Sequence, residues 1–148
     1  MGFFDAIDIA ASGLTAERLR MDVTAENLAN AQTTRSATGG PYQRQEVVLQ
    51  QAGGFGATLQ GAIGGGVASG ASASGVQVAG IVADPTPDRF VYDPGHPDAN
   101  AQGYVQMPNV NPVTEMVDLI SESRSYEADV TAMQTAKSMY SKTLDLLK

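Results

Sequence analysis

The stretch FDAIDIAASGLTAERLRMDVTAENL, residues 4–28, decides how this chain folds. Two interleaved columns recur in it every seven residues: Phe4, Ala11, Arg18 and Ala25 in one, and Ile7, Leu14, Met21 and Leu28 in the other. Offset by three and then four, they occupy the a and d places of a heptad, and only Arg18 is not apolar. Wound as an α-helix, the stretch is about 40 Å long and carries a narrow apolar seam with charge on the opposite face. A seam that narrow cannot enclose its own core, so the helix needs a partner.

The other end of the chain repeats the construction. Met116, Ser123, Val130, Lys137 and Leu144 form one column, and Leu119, Tyr126, Met133, Tyr140 and Leu147 form a second that is apolar throughout. Asn111 suits a helix cap and Pro112 the first helical position. Glu115 and Asp118 stand in the opening turns, where the helix dipole favours negative charge, and Lys142 and Lys148 lie towards the end that favours positive charge. The pattern predicts a helix of roughly 35 residues, some 50 Å long, which exceeds the usual globular length and points to extended helical packing.

These two ends frame the division of the 148 residues. Residues 1–34 and 111–148 are expected to form a terminal helical domain, and residues 35–110 a small β-rich insert. The fold class is α+β, with long N- and C-terminal helices in a coiled-coil-like pair. Past Leu28, the polar run through Asn30, Thr33, Thr34 and Ser36 competes for the backbone, and Gly39-Gly40-Pro41 stops any helix. Asn27 and Asn30 straddle this end and read as capping or turn residues. Tyr42–Gln51, Val76–Val82, Arg89–Tyr92 and Gly103–Met107 read as short strands, separated by the turns DPTPD and DPGHPD. The segment 53–75 is dominated by glycine, alanine and serine and reads as an irregular loop.

Composition removes several functions. A net charge of −7 with nine scattered basic residues argues against nucleic acid or an anionic membrane surface as the main partner. Without cysteine there is no disulfide framework, no thiolate metal site and no cysteine nucleophile. No cleavable signal pattern is visible, because Asp5 and Asp8 interrupt the first apolar residues, and no stretch is long enough to span a bilayer. The chain is thus expected either to stay in the cytosol or to leave by a route that uses no cleaved signal.

The glycine-rich segment lacks the Lys-Ser/Thr pair of a phosphate-binding loop and any dinucleotide fingerprint. His96, the single histidine, sits among Asp84, Asp88, Asp93 and Asp98; turn chemistry accounts for those residues better than a metal site does, since no second histidine is available. No nucleophile elbow is present. The chain reads as non-enzymatic, with no catalytic, cofactor or metal residues.

Gly13-Leu14-Thr15-Ala16 followed by Ala25-Glu26-Asn27-Leu28-Ala29-Asn30-Ala31-Gln32-Thr33-Thr34 resembles the N-terminal signature of bacterial flagellar rod and hook proteins. Gly39-Gly40-Pro41-Tyr42, the run from Tyr92 to Ala99 (YDPGHPDA), Gly103-Tyr104-Val105, Pro108-Asn109-Val110-Asn111 and Ser123-Arg124-Ser125-Tyr126-Glu127-Ala128 narrow the resemblance to the proximal rod family. Two departures stand out: the richness of glycine in 53–75, and Asp129 where that family usually has Asn.

The resemblance implies a non-enzymatic structural subunit of the basal body, exported unfolded through the flagellar type III apparatus and located in the rod that crosses the periplasm. It implies partners: copies of itself, other proximal and distal rod subunits, the MS-ring/rod junction protein and the export apparatus, with no membrane insertion. The terminal helices would form an inner layer around the export channel. The implied subunit-interface residues are Ile7, Leu14, Met21, Asn27, Leu28 and Asn30 on the first helix, with Leu119, Tyr126, Val130, Met133, Tyr140, Leu144 and Leu147 on the second. The alternative is a soluble helical-hairpin secretion substrate or adaptor that binds another protein through the same seams.

Overall fold

A computed structural model describes residues 3–36, 39–52 and 75–145. Helix α1 spans Phe3–Ala29, strands β1 Gln45–Gln51, β2 Val76–Ala83, β3 Arg89–Tyr92 and β4 Tyr104–Met107 follow, and helix α2 spans Pro112–Asp145. Two long helices therefore flank two small two-stranded sheets, β1–β2 and β3–β4. This is an α+β arrangement. The glycine-rich residues 53–74 and Leu147 lie outside the described residues.

The helix ends follow the residues that stand there. Asn111 caps α2: its Oδ1 accepts the amide of Val113 at 3.1 Å, and its carbonyl accepts that of Glu115 at 3.0 Å. At the end of α1 the Ala31 amide reaches back only three residues, to Leu28, which tightens the last turn. Gly39 and Gly40 then take φ values of +83° and +84°, a conformation that costs other residues about 1–2 kcal/mol.

Strand β1 begins at Gln45 rather than at Tyr42 because two preceding amides are used elsewhere. Tyr42 N donates to Thr33 O at 3.0 Å and Arg44 N to the Asn109 side chain at 3.2 Å. Asp84 N donates to Arg44 O, and Ala52 N to Gly75 O, which makes the β1–β2 ladder antiparallel. In β3–β4 the register pairs Arg89 with Met107 and Tyr92 with Tyr104. The pleat sends Val105 to the inner face, where it has no exposure, and Phe90 and Tyr92 to the outer.

By packing, the chain divides into two compact units: residues 1–18, 49–79 and 123–148 in unit one, and residues 19–48 and 80–122 in unit two. This cut differs from a division by element type, since each unit takes a piece of both helices and a piece of the segment between them. Unit two has a small apolar nucleus of Ala31, Tyr42 and Val110. In unit one Ala16 is buried on the inner side of α1.

A candidate assembly interface

In unit two the helices are joined by polar side chains. Asn27 is 1% exposed, and its amide is fully engaged. Nδ2 donates to Gln45 O at 2.8 Å and to Glu115 Oε2 at 3.3 Å, while Oδ1 accepts Gln45 N and the Tyr42 hydroxyl, each at 2.9 Å. Only one orientation of the amide satisfies all four bonds, so Asn27 pins β1, the Tyr42 ring and the first turn of α2 to the end of α1.

Glu115 is equally buried, and Arg44 compensates its charge: Nε donates to Oε1 at 2.7 Å, and the guanidinium also lies 3.7 Å from Asp84. The Glu115 hydrogen bond holds Arg44 above its ordinary pKa. Burial, followed by the charges of Glu26 and Glu115, pushes the Tyr42 phenol up. About two turns further along α2, Glu122 accepts the Thr24 hydroxyl at 3.2 Å and lies 3.5 Å from Arg20.

The loop after α1 is tied down separately. Asp98 accepts the Thr34 hydroxyl at 2.8 Å and pairs with Arg35 at 2.6 Å. The Thr34 bond, then the Arg35 charge, hold Asp98 below the usual carboxylate range. His96 serves this turn through Nδ1, which accepts the Asp98 amide at 3.1 Å. Among the described residues no three His, Asp or Glu side chains converge as a metal site would require.

In unit one, contact is made by the absence of a side chain. A Cβ on Gly13 would lie 2.9 Å from Asp129 Oδ2. Ser12 donates to Ile9 O within α1 and accepts the Val76 amide at 3.0 Å, which fastens the start of β2 to the helix. Gly75 is required beside it, because a Cβ there would fall on Ser12 Oγ.

Position by position, the side chains that join the helices form columns of their own. On α1 the column is Gly13, Arg20 and Asn27, with Thr24 outside it; on α2 it is Asp129, Glu122 and Glu115. Each set is spaced by seven, and the two run in opposite directions. Neither column belongs to the apolar seams. Of the sequence-derived interface residues, Ile7, Leu14, Met21 and Leu28 are half-buried on α1, Asn30 is half-buried in the turn just past it, and Leu119, Tyr126, Val130 and Met133 are half-buried on α2. Tyr140 and Leu144 are exposed, as are Val113, Met116, Val117 and Ile120 at the start of α2. Asn27 has no surface to offer a neighbour and acts inside the chain. The Asn30 side chain donates back to Glu26 O in the last turn of α1 and accepts from Thr33.

Sequence reasoning passed over Ser12, Thr24, Arg44 and Glu122, and it read Glu115 only as a helix-dipole residue. The available signal was the acidic period of seven at 115, 122 and 129, beside columns that were already marked as apolar.

Two long terminal helices, with two small antiparallel sheets between them in sequence and apolar columns half-buried or exposed, define the α+β class of this chain. Its two ends match family models: "Flagella basal body rod protein" over residues 7–35, and "Flagellar basal body rod FlgEFG protein C-terminal" over residues 101–146. Flagellar basal-body rod protein FlgC of Bacillus subtilis (strain 168) is 48% identical over the full length of both chains. The FlgC proteins of Borreliella burgdorferi and Escherichia coli O157:H7 are 42% and 44% identical, covering 100% and 99% of this chain and 99% and 98% of their own. The chain belongs to the FlgC family of flagellar basal-body rod proteins.

Proposed function

We propose that the chain is a structural subunit of the proximal rod that polymerises through its terminal helices into the axial drive shaft, which transmits torque and encloses the export channel. One observation carries this reading: the helices are joined by polar columns, with Ala16 and Val23 buried beside them, while among the described residues the apolar seam columns of both helices are left half-buried or exposed. A row such as Ile7, Leu14, Met21 and Leu28 gains about 25 cal/mol for each Å² of apolar surface that a neighbour removes from water. Rows facing different ways on one subunit make head-to-tail contacts, which continue as a helical tube when the rotation does not close.

The work is mechanical. Covered heptad seams, in coiled-coil-like pairs formed partly between neighbours, give the shaft its stiffness. The partners are copies of the chain, the other rod subunits, the ring junction below and the export apparatus that delivers the chain across the inner membrane without a cleaved signal. No reaction is catalysed and no cofactor is used. No described helix is long and apolar enough to cross a membrane.

Leu14→Asp or Met133→Asp tests the reading, since either buries an unpaired charge at a subunit contact. Export of the chain should continue while basal bodies lack a complete rod and cells stop swimming. Normal swimming by either variant would show that the seams face no neighbour.

A further inference from the structure

Three acidic residues recur every seven positions on α2, and two of them are answered from α1. Glu115 meets Asn27, and Glu122 meets Arg20 and Thr24. The third, Asp129, stands opposite Gly13, which has no side chain to answer it. Among the described residues Asp129 has no hydrogen-bond or ion-pair partner, although it is half-buried. It lines a cleft of about 460 Å³ in unit one, walled by Ala6, Ile9, Ala10, Leu49 and Val76. An apolar cleft holding the Asp129 carboxylate fits a guest with an apolar stem and a cationic head.

This chain carries such a guest. Arg18 is the one polar residue in the a column of α1; it is exposed and makes no ion pair among the described residues. If seams are covered on assembly, Arg18 and Asp129 both lose water, and each becomes a buried charge that must be paired. Between the cations in seam columns, Arg18 on α1 and Lys137 on α2, arginine is the better interface residue. Its planar guanidinium meets a carboxylate with two bonds and is less strongly hydrated.

We propose that the cleft beside Gly13 receives Arg18 of a second copy of the chain, whose guanidinium pairs with Asp129. This rests on the polymerisation proposed above and names one of its contacts. Arg18 does not line the described cleft, so one copy can give its arginine to a neighbour while its own cleft takes that of a third, a head-to-tail contact that propagates.

The test uses the full chain replacing the native subunit in a flagellated bacterium. Because the chain has no cysteine, introduced thiols are the only ones it carries. Arg18→Cys and Asp129→Cys chains bearing different tags are co-expressed, and isolated basal bodies are treated with a short bis-maleimide. A dimer band carrying both tags is expected, and it should be absent when one partner is Asp145→Cys. In parallel, Arg18→Glu and Asp129→Arg should each reduce swimming cells at least tenfold, with recovery when the two are combined.

Absence of the mixed dimer, in basal bodies that do contain both chains, overturns the contact. So does unimpaired swimming of both single variants, or a mixed dimer formed with Lys137→Cys in place of Arg18→Cys. If the unaltered chain fails to enter basal bodies at all, the polymerisation reading itself falls.

Discussion

Replacing Asn27 with alanine separates two asparagines that look alike in the sequence. The side chain contributes four bonds in unit two, to Gln45 N, Gln45 O, the Tyr42 hydroxyl and Glu115. Glu115 keeps Arg44 after the substitution. The Gln45 amide and carbonyl and the Tyr42 hydroxyl lose a partner, and each buried group left unmade costs about 1–3 kcal/mol. Some water enters the vacated space, so the total settles at about 3–5 kcal/mol, against a whole-domain stability of about 5–15 kcal/mol.

Urea unfolding of the purified chain, followed by far-ultraviolet circular dichroism, reads this directly. At a slope of about 2 kcal/mol per molar urea, the midpoint should fall by about 2 M. Asn30→Ala is the control. It removes a bond back to the last turn of α1 and one from Thr33, and should cost about 1 kcal/mol or less. Asn27→Asp should be at least as damaging as Asn27→Ala, because it swaps the donor for an oxygen facing Gln45 O and the Glu115 carboxylate. If Asn27→Ala and Asn30→Ala agree within about 0.5 kcal/mol, the bracket is not what holds β1 and α2 to the end of α1.

Gly13→Ala should leave the isolated chain as stable as before or up to about 1 kcal/mol more so, because the helix gains propensity and the Asp129 carboxylate can swing aside; a loss above that amount in a thermal melt would show Asp129 to be fixed. Gly75→Ala should cost about 1–3 kcal/mol, since the new methyl displaces Ser12 Oγ from its bonds to Ile9 and Val76; an unchanged midpoint would disprove that fastening.

Asp98 is held below its ordinary pKa when folded, so its stabilising effect is present above the unfolded carboxylate value and is lost as pH falls through the folded one. Asp98→Asn should therefore lower the urea midpoint at pH 7, with the gap to the parent chain closing in acid. A gap that is constant with pH would assign the effect to packing.

Much of this molecule was legible in its letters, for reasons that are local. Heptad columns announce long helices because 3.6 residues per turn put every seventh side chain on one stripe. Asn111-Pro112 announces the start of α2 because the cap and the fixed φ act within a few residues. Glycine, proline and aspartate announce the turns around β3 and β4 by the same short reach.

What the letters did not settle was which stripe meets which. A period of seven is equally present in the apolar columns and in the acidic column at 115, 122 and 129, and apolarity alone favoured the former. Only the tertiary structure shows Glu115 taken by Asn27 and Arg44, Glu122 by Thr24 and Arg20, and Asp129 facing a bare Gly13. A buried carboxylate is tolerated where partners arrive from elements distant in sequence, and no local pattern encodes that arrival. The helices follow from spacing along the chain; their pairing follows from where the charges find company.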